Sequence, residues 1–182
     1  MQFEPEKYYH FYNRSNNREI VFKNQQCYEL FLHKYVKLLH EYVHTYAYCL
    51  MPTHFHFLIQ VCSVDSINIQ RKIAILLSSY TKTLNLSFHR HGSLFQPRSK
   101  AIEINDENYL LTLISYIHQN PIRAKLVKNI CDWEYSSYHE LAGLRKEFLV
   151  SSSLINHHFR SKREFVKYSE EMLTSIEYKY WV

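Results

Sequence analysis

Apolar positions recur along this chain with two periods, one near two residues and one near three and a half. Tyr8–Arg14 (YYHFYNR) is short, aromatic and β-prone, and predicts a first strand. Asn24 is placed to cap a helix whose apolar residues Tyr28, Phe31, Tyr35, Leu38 and Tyr42 recur at three- and four-residue steps. Two β-prone runs follow, Val43–Leu50 and His54–Val61. Met51-Pro52-Thr53 between them predicts a hairpin turn, because proline cannot donate to a sheet ladder. Ser66 opens a second helix with Ile69, Ile73, Leu76, Tyr80 and Leu84 on one stripe and Arg71, Lys72 and Lys82 on the partner face. After a basic loop, His89–Lys100, a short strand is expected at Ala101–Ile104 and then a third helix capped by Asn105 or Asp106. That helix is expected to stop near Asn120, since Pro121 disfavours helical geometry in the residue before it. A last helix is expected from Lys162 to Glu171.

The order β-α-β-β-α-β with a further helix predicts an α+β fold of the ferredoxin-like, split β-α-β kind. Two helices would cover one face of an antiparallel sheet, leaving the other face free for a site bordered by the third helix. The organisation expected is one domain over residues 1–130 and a C-terminal extension, 131–182, packed on or near it.

Composition narrows the function. With 46% hydrophobic and 21% charged residues the chain is of ordinary globular type. No apolar run approaches the roughly 18 residues that span a bilayer, and MQFEPEKYYH lacks the layout of a signal peptide. A cytoplasmic protein without a membrane partner is expected. The four cysteines have no CxxC spacing and read as reduced, mostly buried thiols rather than a zinc ribbon. With only Gly92 and Gly143, a glycine-rich phosphate cradle is excluded, and no nucleotide cofactor is expected. The net charge of +5 is unevenly placed: residues 66–128 hold nine Lys/Arg and three acids, interleaved with aromatics. Such a surface suits a single-stranded polyanion, because the cations displace counterions from phosphates and the rings stack on bases.

Two constellations could carry chemistry. In a strand, residues two apart share a face, so His54 and His56 would project together while Phe55 and Phe57 enter the helix-covered side. Two neutral imidazoles so placed can share a divalent ion, or can be partly buried and satisfied by hydrogen bonds. Tyr116 and Asn120, four apart on a helix, would lie about 40° apart around its axis and about 6 Å along it. The amide is a hard oxygen ligand suited to Mg²⁺ or Mn²⁺. The phenol is either a nucleophile toward a phosphodiester or a packing residue beside Tyr109, Leu113 and Ile117. His118 points elsewhere and reads as a bystander or a phosphate contact.

Four motifs in order carry a resemblance. They are Leu50-Met51-Pro52-Thr53-His54-Phe55-His56; Gly92 with Leu94-Phe95-Gln96 and Arg98; Tyr116-Ile117-His118-Gln119-Asn120-Pro121-Ile122-Arg123-Ala124; and Trp133 with Ser136-Ser137-Tyr138. Together they resemble the REP-associated tyrosine transposases of the HUH single-tyrosine superfamily. The resemblance implies that residues 1–130 form a transposase-like catalytic domain of the ferredoxin-like fold. It further implies a divalent ion on His54 and His56, with Asn120 where relatives place a polar third ligand, and Tyr116 as the catalytic nucleophile. The implied reaction is attack on single-stranded or hairpin DNA to give a 5′-phosphotyrosine link that can reverse and rejoin strands. Arg14, Arg90, Gln96, Arg98, Lys100 and Arg123 are then expected DNA contacts. The extension favours a monomer over a homodimer. The competing readings are a non-catalytic nucleic-acid-binding module of the same fold and a small zinc hydrolase.

Overall fold

The computed structural model describes residues 3–63 and 65–171. Its sheet holds β1 (Tyr8–Arg14), β2 (Val43–Met51), β3 (His54–Val61) and β4 (Lys100–Ile104), in the order β2-β3-β1-β4. Each neighbouring pair is antiparallel, which is the ferredoxin-like arrangement expected from the sequence. The turn at Pro52-Thr53 joins β2 to β3 so that Met51 faces His54 across the ladder.

Two helices cover one face. The first, α1 (Gln25–Leu39), starts where the Asn24 side chain accepts from the Cys27 amide at 3.1 Å. The second, α2 (Ser66–Ser87), buries the whole expected stripe of Ile69, Ile73, Leu76, Tyr80 and Leu84. On α1 the stripe drifts from expectation: Leu39 is buried while Leu38 is half-buried, and Tyr42 lies past the helix end. Aromatic rings dominate this layer. Phe57 stacks on Tyr35 at 4.2 Å, and Phe31 meets Tyr80 edge-on at 5.1 Å. The Tyr80 hydroxyl donates to the carbonyls of Val21 and Cys27, so burying it leaves no unpaired polar end.

An irregularity in β2 decides what lies under the opposite face. Thr45 pairs with Ile59 but Ala47 pairs with Leu58, so Tyr46 is an extra residue, a β-bulge. Beyond it Tyr48 and Leu50 share the helix-covered face with Phe57 and Phe55. Ala47, Cys49 and Met51 share the face of Leu58, His56 and His54.

That second face is not open, contrary to the expectation of a free surface. It is roofed by α3 (Glu107–Arg123), which packs chiefly on β2 and also touches β3 and β4. Nor does α3 stop at Asn120; it runs through Pro121 to Arg123. The Ala124 amide still bonds the Asn120 carbonyl at 2.9 Å, so the proline removes one bond without ending the helix. Cys27 and Cys49 are buried free thiols, whereas Cys62 and Cys131 are exposed.

Past α3, the chain adds α4 (Tyr138–Leu141), α5 (Ser153–His158) and α6 (Lys162–Glu170). Residues 172–182 of the expected extension lie outside the described residues. Much of residues 133–151 lines the outer edge of β2, which a bare edge strand would otherwise expose. Leu50 donates to the Tyr135 carbonyl at 2.9 Å, Ser137 to Tyr48 at 3.0 Å and Ser151 to Thr45 at 2.8 Å. The fully buried Glu140 anchors this segment. Its carboxylate accepts from the Tyr48 hydroxyl at 3.0 Å and from the amides of Phe148, Leu149 and Val150 at 2.9, 3.0 and 3.4 Å, and it pairs with Arg145 at 3.0 Å. Burial opposes the charge, but the Leu149 and Phe148 amides and the Tyr48 hydroxyl outweigh it and hold the carboxyl below its ordinary range.

Glu140→Gln is expected to cost about 2–4 kcal/mol at neutral pH, since it replaces a satisfied buried carboxylate by an amide that brings surplus donors. A carboxylate with a lowered folded-state pKa contributes its stability above the unfolded-state value and loses it as pH falls through the folded value. The gap between wild type and variant in urea unfolding should therefore narrow below about pH 4.5. An equal gap at neutral and acid pH would rule out this account.

Candidate active site

The site is built from the pairing of β1 with β3. Tyr12 lies opposite His56 and Arg14 opposite His54, so all four side chains leave the sheet on the α3 side. The two histidines of the motif do come together, with ring centroids 5.1 Å apart and planes at 84°. His54 is half-buried, and its Nδ1 lies 3.0 Å from the Thr53 hydroxyl. His56 is fully buried. Its Nδ1 lies 2.9 Å from Nε2 of His10, a third imidazole that stacks on it at 17°. The Nε2 of His56 is buried with no hydrogen-bond partner among the described residues. Sequence reasoning missed His10, although strand alternation already placed it with Tyr12 and Arg14; what was lacking was the register against β3.

Tyr116 hangs from α3 over these rings. It stands edge-on to His56 at 6.0 Å and to His10 at 6.4 Å. Only 7% of the residue is exposed. Arg123, about two turns further along the helix, holds its guanidinium carbon 5.9 Å from the Tyr116 ring centroid. Burial raises the Tyr116 pKa above its ordinary value; the Arg123 charge opposes that and neighbouring Tyr12 adds to it. The phenol therefore keeps its proton at neutral pH unless further positive charge approaches.

The imidazoles are held neutral, the form in which they ligate metals. Burial pushes His10 down to about 3. Burial, and then the Arg14 charge, push His54 down to about 4. His56 lies well below its ordinary value, through burial first and then through His54 and His10.

Asn120 serves its own helix. Its Nδ2 donates to the Tyr116 carbonyl at 2.9 Å and, more weakly, to that of Ile117 at 3.4 Å. The Ile117 carbonyl is the one that Pro121 cannot reach, having no N–H. With the nitrogen so engaged, the amide oxygen is the end available to a ligand. Among the described residues, no three His, Cys, Asp or Glu side chains are grouped to hold a metal ion. The donors that fit one are the bare Nε2 of His56, the companion imidazole of His54 and an amide oxygen of the Asn120 type, a mixed N/O set.

The remaining predicted residues divide. Arg14, Arg98, Lys100 and Arg123 are exposed. Lys100 pairs with Tyr12 on the far side of β1, one strand from His56. Gln96 is half-buried and ties the loop to β1: its amide donates to the Arg14 carbonyl at 2.9 Å, and its carbonyl accepts from Asn13 at 3.2 Å. Arg90 stands apart, its guanidinium gripped by Glu19 at 2.8 and 2.7 Å. His118 is fully buried and meets the Ser137 hydroxyl at 2.7 Å, so it joins α3 to the C-terminal segment and faces no phosphate. A cleft of about 360 Å³ flanks Arg123 between Gln119, Lys128 and Ser169. Another, of about 470 Å³, flanks Arg98 and Lys100 beside α2. Neither is lined by His54, His56 or Tyr116. No helix among the described residues is long and apolar enough to cross a membrane.

Comparison with known proteins agrees with the resemblance that the motifs carry. No family model matches the chain. A curated relative from Haemophilus influenzae, named "Putative REP-associated tyrosine transposase", is 32% identical over 104 residues, covering 52% of this chain and 58% of the relative. The chain thus spans less than two thirds of that relative's length. A solved structure described as that of a REP-associated tyrosine transposase bound to a REP hairpin superposes with a TM-score of 0.65. It is 18% identical and covers 84% of this chain and 90% of its own, which establishes a shared fold.

The role assigned to the Asn120 nitrogen can be tested apart from any catalysis. Asn120→Leu is expected to cost about 1–2 kcal/mol by leaving the Ile117 carbonyl unbonded. Pro121→Ala restores a backbone N–H there, so the same substitution in that background should cost about 1 kcal/mol less. Additive effects in the double-mutant cycle would show that the two residues are not linked in this way.

Proposed function

We propose that this chain is a transposase-like DNA strand transferase that nicks and rejoins single-stranded, hairpin or repeat DNA through a 5′-phosphotyrosine intermediate, dependent on Mg²⁺ or Mn²⁺. The observation that carries the reading is the placement of the Tyr116 phenol over His56, with ring centroids 6.0 Å apart, beside a buried imidazole nitrogen that has no hydrogen-bond partner among the described residues. The substrate class is taken from the solved likeness, whose protein is bound to a REP hairpin. It agrees with the exposed Arg14, Lys100 and Arg123 near the site and with the exposed Arg98 beside α2.

In this reading the Tyr116 oxygen attacks phosphorus and the new O–P bond replaces the P–O3′ bond. The electron pair of the broken bond stays on the 3′ oxygen, which takes up a proton while the phenol gives one up. Attack by a 3′-hydroxyl on the phosphotyrosine runs the same exchange backwards. Positioning and charge neutralisation dominate such chemistry. A divalent ion held by His54, His56 and the Asn120 oxygen would supply Lewis-acid charge on the scissile phosphate. Arg123 offers the phenolate a fixed cation, and α3 sets the direction of attack by holding Tyr116 against the sheet. Arg14 and Lys100 are placed to bind the backbone on either side of Tyr12, whereas Arg90, committed to Glu19, shapes the loop that carries Gln96 and Arg98.

Tyr116→Phe should abolish the denaturation-resistant adduct with labelled hairpin DNA, a loss of at least about 10³-fold, and should change DNA affinity by less than about threefold. An adduct formed by this variant would overturn the assignment. Binding without any adduct, in wild type too, would leave the non-catalytic module. Chelation by EDTA is expected to suppress the adduct in wild type, and added Mn²⁺ or Mg²⁺ to restore it; His56→Ala should not be rescued. Full adduct yield in EDTA would remove the metal from the mechanism.

A further inference from the structure

We propose that His10 is a positioning residue whose Nε2 accepts the Nδ1 proton of His56 and so presents the bare Nε2 of His56 to a divalent cation. The proposal rests on the metal reading of His54 and His56 given above.

The 2.9 Å contact between His10 Nε2 and His56 Nδ1 can hold its proton in two ways. If His10 donates, the proton of neutral His56 must sit on Nε2, and that nitrogen cannot ligate. If His56 donates, its Nε2 carries a lone pair in a buried position facing the α3 side. In a metal site the ring nitrogen that does not ligate is fixed by a hydrogen bond, and that bond selects the tautomer. His54 repeats the pattern, with Nδ1 at 3.0 Å from the Thr53 hydroxyl. Nδ1 of each motif histidine is thus engaged, one by a hydroxyl and one by an imidazole, and donation from both Nδ1 atoms would leave both Nε2 atoms for a shared ion. Both His10 and His56 are fully buried, so no solvent molecule from the surface replaces the partner. His10 sits opposite Leu58, two positions along the ladder from the Tyr12–His56 pair, and its ring plane lies 17° from that of His56 with centroids 5.1 Å apart.

Proton–nitrogen correlation spectra of the metal-free full chain should show His56 as the Nδ1–H tautomer. Mn²⁺ affinity measured by calorimetry should fall roughly 10–100-fold in His10→Phe. In His10→Gln, whose Oε1 reaches the place of the imidazole Nε2, the fall should stay below about threefold. Thermal unfolding monitors each variant; should His10→Phe not fold, the wild-type spectrum and His10→Gln decide. An Nε2–H tautomer at His56, wild-type affinity in His10→Phe, or a Gln variant as weak as the Phe variant would each overturn the role of His10. The metal reading survives those outcomes if His56→Ala still loses Mn²⁺. A wild-type chain that binds no Mn²⁺ sinks both.

Discussion

A buried imidazole must have both of its nitrogens accounted for, and the α3 side of this sheet is organised around that requirement. His56 is fully buried and spends Nδ1 on His10. Its other nitrogen has no hydrogen-bond partner among the described residues. Unpaired buried polar atoms are costly, and where they persist they mark either strain or an unmet ligand. Around that atom stand three neutral imidazoles from β1 and β3, a phenol edge-on above them, and the exposed Arg14 and Arg123. A histidine pair on an open surface would be solvated and would carry no such implication.

The helix that roofs the site is under a related constraint. Pro121 withdraws a backbone donor from α3 just where the helix must continue far enough to bring Arg123 beside Tyr116. The Asn120 side chain bends back to its own helix carbonyls. Gln119 faces the other way and donates to the carbonyls of Ser169 at 2.9 Å and Glu171 at 2.7 Å. His118 reaches Ser137. Three successive polar residues thus fasten the end of the helix to itself, to the end of α6 and to the segment along β2, and the phenol one turn away inherits that rigidity.

What the sequence revealed followed the strength of its periodic signals. The α2 stripe was legible because its apolar residues recur at helical steps without a break, and all of them are buried. The His54–His56 face was legible from strand alternation alone. The end of α3 was not, because the rule that proline ends a helix assumes that nothing else supplies the missing bond, and Asn120 with its buried surroundings does. His10 escaped notice because its partner is 46 residues away, and only the ladder between β1 and β3 brings the rings together. Arg90 and Arg98 look alike in the basic loop; only folding shows that Glu19, 71 residues from Arg90, has claimed one of them.

The bulge at Tyr46 has a consequence for how this strand tolerates change. Because one surplus residue sets the phase of everything after it, the slim Ala47 and Cys49 lie beneath α3 and the bulky Tyr48 and Leu50 lie toward α1 and α2. Removing Tyr46 would leave Thr45 opposite Ile59 and Ala47 opposite Leu58 in unbroken register, so both sets would keep their faces and only the bulge would be lost. A slip of the whole strand by one position against β3 would instead exchange the two sets and bring a phenol and an isobutyl group up to the imidazole of His56.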